Sequence, residues 1–217
     1  MLQTTLPGSD INYYKINVRN KIYRPLGFAD LVFGFVGELG YIDAFSDTKV
    51  TPFFENFYSG GPRSLRGFES NTLGPRVTPA PCYEYDPVND ICPDIIDTDG
   101  DGIPDAPAQN PYAFSQYDDP IGGNLLIEGS LQLIFKLPIV DDTRSMRSAF
   151  FLDFGNVFST DCQDYQLNCS DPSIDELRYS IGVGITWITG FGPMSFSFSQ
   201  PFNAVSYTHL TLPTTLT

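Results

Sequence analysis

The chain has 217 residues, with 12 basic against 26 acidic side chains and a formal net charge of −14. That balance argues against a nucleic-acid partner, since binding phosphates calls for the opposite sign. No apolar run approaches the length of a membrane-spanning helix. Aromatic residues instead recur on evenly spaced segments, which favours a closed, fully hydrogen-bonded transmembrane β-barrel over a soluble domain. Met1-Leu2-Gln3-Thr4-Thr5 has neither the basic nor the apolar region of a signal peptide. A barrel of this kind must be exported, so the sequence is expected to be an internal fragment of a longer protein.

Leu6-Pro7-Gly8-Ser9-Asp10 reads as a turn. A strand is expected from about residue 12 to 24, where Tyr14, Ile16 and Val18 alternate with Lys15, Asn17 and Arg19. A second is expected from about 30 to 41, with Leu31, Phe33, Phe35 and Leu39 on one face and Gly34, Glu38 and Gly40 on the other. Glycines on a wall suggest that something packs closely against it.

The segment 53–76, FFENFYSGGPRSLRGFESNTLGPR, has loop composition yet concentrates aromatics and arginines. Gly60-Gly61-Pro62 imposes a tight bend, and Arg66-Gly67-Phe68 places a guanidinium beside a glycine and a large ring. The residues 77–123 form a long insert with no convincing strand, expected to be extracellular because such barrels place long loops outside and short turns in the periplasm.

Four more strands follow. Leu125, Ile127, Leu131, Leu133 and Phe135 oppose Glu128, Ser130, Gln132 and Lys136. Phe150, Leu152, Phe154 and Phe158 oppose Arg147, Ala149, Phe151 and Asp153. Leu177, Tyr179, Ile181, Val183, Ile185 and Trp187 oppose Arg178, Ser180, Gly182, Gly184 and Thr186. Met194, Phe196 and Phe198 alternate with Ser195, Ser197 and Ser199. Half-buried soluble sheets share such patterns. Large apolar faces on successive strands, with Tyr and Trp near the ends, favour lipid. The fold expected is all-β: a partial antiparallel transmembrane barrel of about six strands with long extracellular loops.

Cys82 with Cys92 and Cys162 with Cys169 form two close pairs in expected surface loops, which suits local disulfides in an oxidising compartment. Zinc is the alternative, disfavoured because neither pair has CxxC spacing and the single histidine, His209, is remote. Asp97, Asp99, Asp101 and Asp105, with Gly102, occupy positions of a calcium loop that let several carboxylates converge on one hard cation. Ala108 stands where an EF-hand has its bidentate glutamate, so the pattern looks more like the aspartate-rich calcium repeats of thrombospondin type 3. A plain solvated acidic loop is the competing reading. No nucleophile elbow, Cys/His pairing or phosphate-cradling loop is present, so no enzyme is expected and no cofactor is required.

GGPRSLRGF resembles the sixth-surface-loop signature of the outer-membrane assembly and transport superfamily. ENFYSGG, ESNTLGPR, LPGSD, FFLDFGNVF and the stretch from Phe191 to Phe202 are similar to its barrel-assembly branch, so the resemblance spans about residues 6–203. It makes 1–203 the C-terminal part of an outer-membrane barrel. The segment 204–217 does not match and is expected to be an atypical tail.

The resemblance implies that the loop folds into the lumen and that Arg66 pairs with an inner-wall acid, matched here by Asp153. Gly60, Gly61, Pro62, Gly67 and Phe68 complete the motif. A second acidic wall position aligns with Gln132, whose contact would be a neutral hydrogen bond, and Glu128 lies on the same face to compensate. A solvated arginine in a mobile loop is the alternative.

The implied function is assembly and insertion of β-barrels into the cell outer membrane, with a seam between first and last strands templating incoming ones. Partners would be the lipid bilayer, unfolded outer-membrane clients, and accessory lipoproteins bound through domains outside this sequence. The alternatives are a two-partner secretion transporter, or a passive porin or adhesin with a calcium-binding surface loop.

Overall fold

The computed structural model describes residues 1–5, 9–48, 51–77, 119–137, 145–162, 169–204 and 215–216. They form β1 (Leu2–Thr4), β2 (Tyr13–Pro25), β3 (Val32–Ala44), β4 (Leu125–Phe135), β5 (Met146–Phe158), β6 (Arg178–Thr189), β7 (Gly192–Phe202) and β8 (Thr215–Leu216). A single turn of 3-10 helix, Phe53–Glu55, follows β3. Each strand pairs antiparallel with the next, in the order β1 to β8. The sheet is an open section of wall with β1 and β8 at its edges.

The six long strands have 11 to 13 residues each, the length a tilted strand needs to cross a bilayer. They agree in number and place with the alternating segments of the sequence. β1 and β8 were not legible there, because two or three residues carry no period. β1 is defined by pairing such as Leu2 with Ile16, and β8 by Phe196 with Leu216.

Alternation divides the wall into two faces. Ile16, Val18, Ile22, Leu39, Phe150, Leu152, Ile181, Trp187 and Phe198 are all exposed on one side. An apolar surface on five of the six long strands is what lipid covers and water does not tolerate. The other face carries Ser130, Gln132, Asp153 and Ser180, and the loop around Arg66 folds back onto it.

One outward assignment fails. Phe158 shares the parity of Phe150 and Leu152 but is buried, as are Asn156 and Val157. The connection to β6 covers this end of β5: Asn156 Nδ2 donates to the Glu176 carbonyl at 2.7 Å, and Ser159 N–H to the Ser170 carbonyl at 2.8 Å. Parity reports only which way a side chain leaves the sheet. It does not report whether a loop returns to cover it.

A lumenal loop clamped to the barrel wall

The loop is first pinned at its base. Phe57 and Gly123 exchange both backbone hydrogen bonds, at 2.9 and 3.0 Å, while Val77 N–H donates to Asp119 and Ile121 N–H to Pro75, each at 3.0 Å. Residues on either side of the long insert thus form a small ladder that turns the chain back over the wall. The Phe57 ring then enters a buried cluster with Tyr13, Ile42, Leu126 and Val157. It rests on Gly40, where a β-carbon would lie only 2.6 Å from its edge. Lys15 covers the same ring, 4.7 Å from its centroid, and donates to the Glu55 carbonyl at 2.6 Å and carboxylate at 3.2 Å. The expectation that something packs against the β3 glycines is thus met at Gly40, whereas at Gly34 the near group is Tyr23 of the adjacent strand β2.

Further along, Leu65, Phe68 and Leu73 bury themselves completely against one another. The bend before them needs its glycines. Gly60 has φ +103°, and a β-carbon there would approach the Glu69 carbonyl oxygen at 2.3 Å. Gly67, with φ +93°, brings the backbone to the β7 wall, where a β-carbon would stand 2.8 Å from Ser199 Oγ. Gly61 is in the left-handed region as well, and Pro62 follows it into the turn.

Arg66 is the centre of the site. Its Nε donates to Asp153 Oδ2 at 2.7 Å and its Nη2 to Oδ1 at 2.7 Å, a two-pronged pairing. Its backbone N–H adds a bond to Oδ2 at 3.2 Å. Asp153 is 0% exposed. Its remaining acceptor capacity is taken by the Ser130 hydroxyl at 2.6 Å, and Ser130 Oγ also accepts from Arg66 Nη2 at 3.0 Å. Below the guanidinium lies Phe151, with the Arg66 Cζ 3.4 Å from the ring centroid. A buried carboxylate is tolerable only with such complete pairing.

The expected partners divide. Asp153 is the direct one. Gln132 makes no bond to Arg66 and instead donates to Ser130 Oγ at 3.1 Å. Two inward residues on one strand are neighbours, and Ser130 stands directly opposite Asp153 in the β4–β5 register. The shorter side chain therefore holds the contact, and Gln132 supports it from behind. Glu128 also does not reach Arg66, whose fork is already occupied; it accepts a hydrogen bond from Ser64 Oγ.

Sequence reading left out Phe151, Gly182 and Gly184 as members of the site. Gly182 and Gly184, on the inner face of β6, leave the space that the Phe151 ring and Arg66 occupy. The signal was an inward aromatic on β5 opposite inward glycines on β6. Cys162 and Cys169 are joined by a disulfide, Cα to Cα 5.8 Å. Cys82, Cys92, Asp97, Asp99, Asp101 and Asp105 lie outside the described residues.

A loop seated on the inner wall of a lipid-facing antiparallel sheet has clear relatives. The model of the Omp85 superfamily domain matches residues 1–211. The chain belongs to the Omp85 superfamily. It is 31% identical over 220 residues to the outer membrane protein assembly factor BamA of Neisseria meningitidis serogroup B, covering 92% of this chain and 23% of that protein. It also superposes on the crystal structure of BamA from Haemophilus ducreyi lacking POTRA domains 1-3, with a TM-score of 0.70 and 26% identity. That match covers 95% of this chain and 35% of the other. The sequence therefore spans about a quarter of the curated relative's length. As an Omp85 member, the chain is a section of an outer-membrane barrel wall with its lumenal loop in place.

Proposed function

We propose that the whole protein carrying this chain assembles and inserts other β-barrels into the outer membrane, as the name of its Neisseria relative states for that protein. The observation that carries the reading is the seated loop: Arg66 paired with Asp153 inside a barrel wall similar to an assembly factor's. This chain supplies the loop and the wall that holds it. The work involves no covalent step and no cofactor. Clients are unfolded outer-membrane proteins, and unpaired strand edges are the chemistry that would recognise them. Accessory lipoproteins would bind parts of the protein outside this sequence.

A passive porin fits less well, because the loop with Leu65, Phe68 and Leu73 occupies the inner face that a porin leaves to water. Calcium at Asp97, Asp99, Asp101 and Asp105 is a separate proposal resting on sequence alone, and calorimetric titration of the whole protein with calcium would test it. The decisive experiment for the assembly reading replaces Arg66 by alanine in the whole protein. Folded client barrels in the outer membrane should fall; if their amount and folding rate are unchanged, the reading fails.

A further inference from the structure

We infer that Glu128 is a positioning residue, a second wall anchor that fixes the glycine bend of the lumenal loop through Ser64. Its importance for assembly rests on the function proposed above, but its geometry does not. On β4, Glu128 faces inward between Glu38 of β3 and Gly155 of β5. Two carboxylates opposite each other on adjacent strands repel. Glu38 is held toward β2 by Arg19 Nε at 3.3 Å and Asn17 Nδ2 at 2.9 Å. On the other side, Gly155 offers no side chain. Glu128 has no ion-pair partner among the described residues, and the loop supplies its hydrogen bonds, from the Ser64 hydroxyl and from Ser59 beside it.

A serine hydroxyl has one hydrogen to give. With that hydrogen on Glu128, Ser64 Oγ accepts from the Gly60 N–H at 3.1 Å, and the Ser59 hydroxyl lies 3.2 Å from it. The carboxylate thereby fixes Ser64 Oγ as the acceptor of the Gly60 N–H. That bond closes the bend, whose backbone is completed by Ser64 N–H to the Gly61 carbonyl and Gly61 N–H to the Leu65 carbonyl, both 3.1 Å. Arg66, two residues on, has its ion-pair partner Asp153 on β5 and one hydrogen bond to Ser130 on β4, whereas Glu128 fastens the bend itself to β4. The loop is thus held at two points on two strands, by different chemistry.

Arg63 is exposed in this bend, so the Arg63–Ser64 bond is a trypsin site that reports on it. The test uses the whole protein in outer membranes, with trypsin cleavage mapped to that bond. Glu128→Ala should raise its cleavage rate about tenfold, as loss of a charge-assisted hydrogen bond implies. Glu128→Gln keeps an acceptor oxygen and should stay within about twofold of the native rate. Ser64→Ala should raise the rate in the same direction, and the double variant should go no further than Glu128→Ala, because both remove the Ser64–Glu128 bond. A native cleavage rate in Glu128→Ala, or effects of the two substitutions that simply add, would overturn the inference. If Glu128→Ala does not fold, as judged by heat-modifiable migration, Ser64→Ala decides alone by whether it opens the bond. Client barrels are counted in the same membranes. Unchanged clients in Arg66→Ala would remove the assembly reading and leave the anchor standing.

Discussion

Arg66 lies over the ring of Phe151, its Cζ 3.4 Å from the centroid, while its fork grips Asp153 two residues further along the same strand. Residues two apart on a strand share a face, so β5 alone offers both a surface that orients the guanidinium plane and a carboxylate that accepts its two prongs. Lysine would keep the charge and lose both geometries.

That arrangement gives the first prediction. Removing one member of a buried pair leaves an uncompensated charge and costs roughly 3–5 kcal/mol. Asp153→Ala, with its partner only 18% exposed, should show a loss of that order in denaturant unfolding from lipid vesicles. Arg66→Lys should recover part of the loss seen in Arg66→Ala, but not all. A loss below about 1 kcal/mol for Asp153→Ala would show that the pair is solvated and does not hold the loop.

The neighbouring glycines give a second, through a contrast. A β-carbon on Gly182 would meet Phe151 Cζ at 2.5 Å and the Phe198 carbonyl oxygen at 2.2 Å. On Gly184 the nearest atoms are Arg66 Nη1 and the Phe196 carbonyl oxygen, each at 3.7 Å, an ordinary contact. Gly182→Ala should therefore destabilise by about 1–3 kcal/mol through overpacking, with Gly184→Ala close to neutral. The same unfolding experiment separates them, and equal effects would mean that the Phe151 seat is not tightly packed.

Much of this fold was legible because a barrel wall writes period two into its sequence. Met194, Phe196 and Phe198 against Ser195, Ser197 and Ser199 leave little choice of face. The Arg66–Asp153 pair was legible only through resemblance, since 87 positions separate the two and no periodicity links them. Gln132 was placed one contact too close to Arg66. An inward parity could not distinguish it from Ser130, whose position opposite Asp153 is fixed by inter-strand register. Ser64 went unnoticed because a serine in a glycine-rich bend looks like any turn residue. Its role exists only once the bend lies against Glu128.

The disulfide between Cys162 and Cys169 yields a third prediction. It spans 7 positions in the connection that covers Asn156. Closing so short a loop restricts the unfolded chain by about 2 kcal/mol in the loop-entropy account. Replacing both cysteines by serine should lower the unfolding midpoint modestly and leave trypsin cleavage at Arg63 unchanged, because the groups that hold Arg66 come from β4, β5 and the inner face of β6 and not from this connection. Opening of the Arg63 bond in the double serine variant would show that the two regions are coupled.

The base of the loop offers the last and most diagnostic test. Phe57 is the largest side chain the loop contributes to the cluster of Tyr13, Ile42, Leu126 and Val157, and Gly40 is empty where its ring lies. Phe57→Ala should cost about 3–5 kcal/mol, the usual penalty for removing a buried ring. Gly40→Val should be damaging for the opposite reason, because its β-carbon would overlap the ring at 2.6 Å. Combined, the larger residue at 40 occupies space vacated at 57, so the double variant should be less destabilised than the two losses added together. A coupling of about 0.5–3 kcal/mol is the range for residues in contact. Strict additivity would mean that Phe57 does not rest on Gly40, and the loop would then lack the apolar footing that brings Arg66 to Asp153.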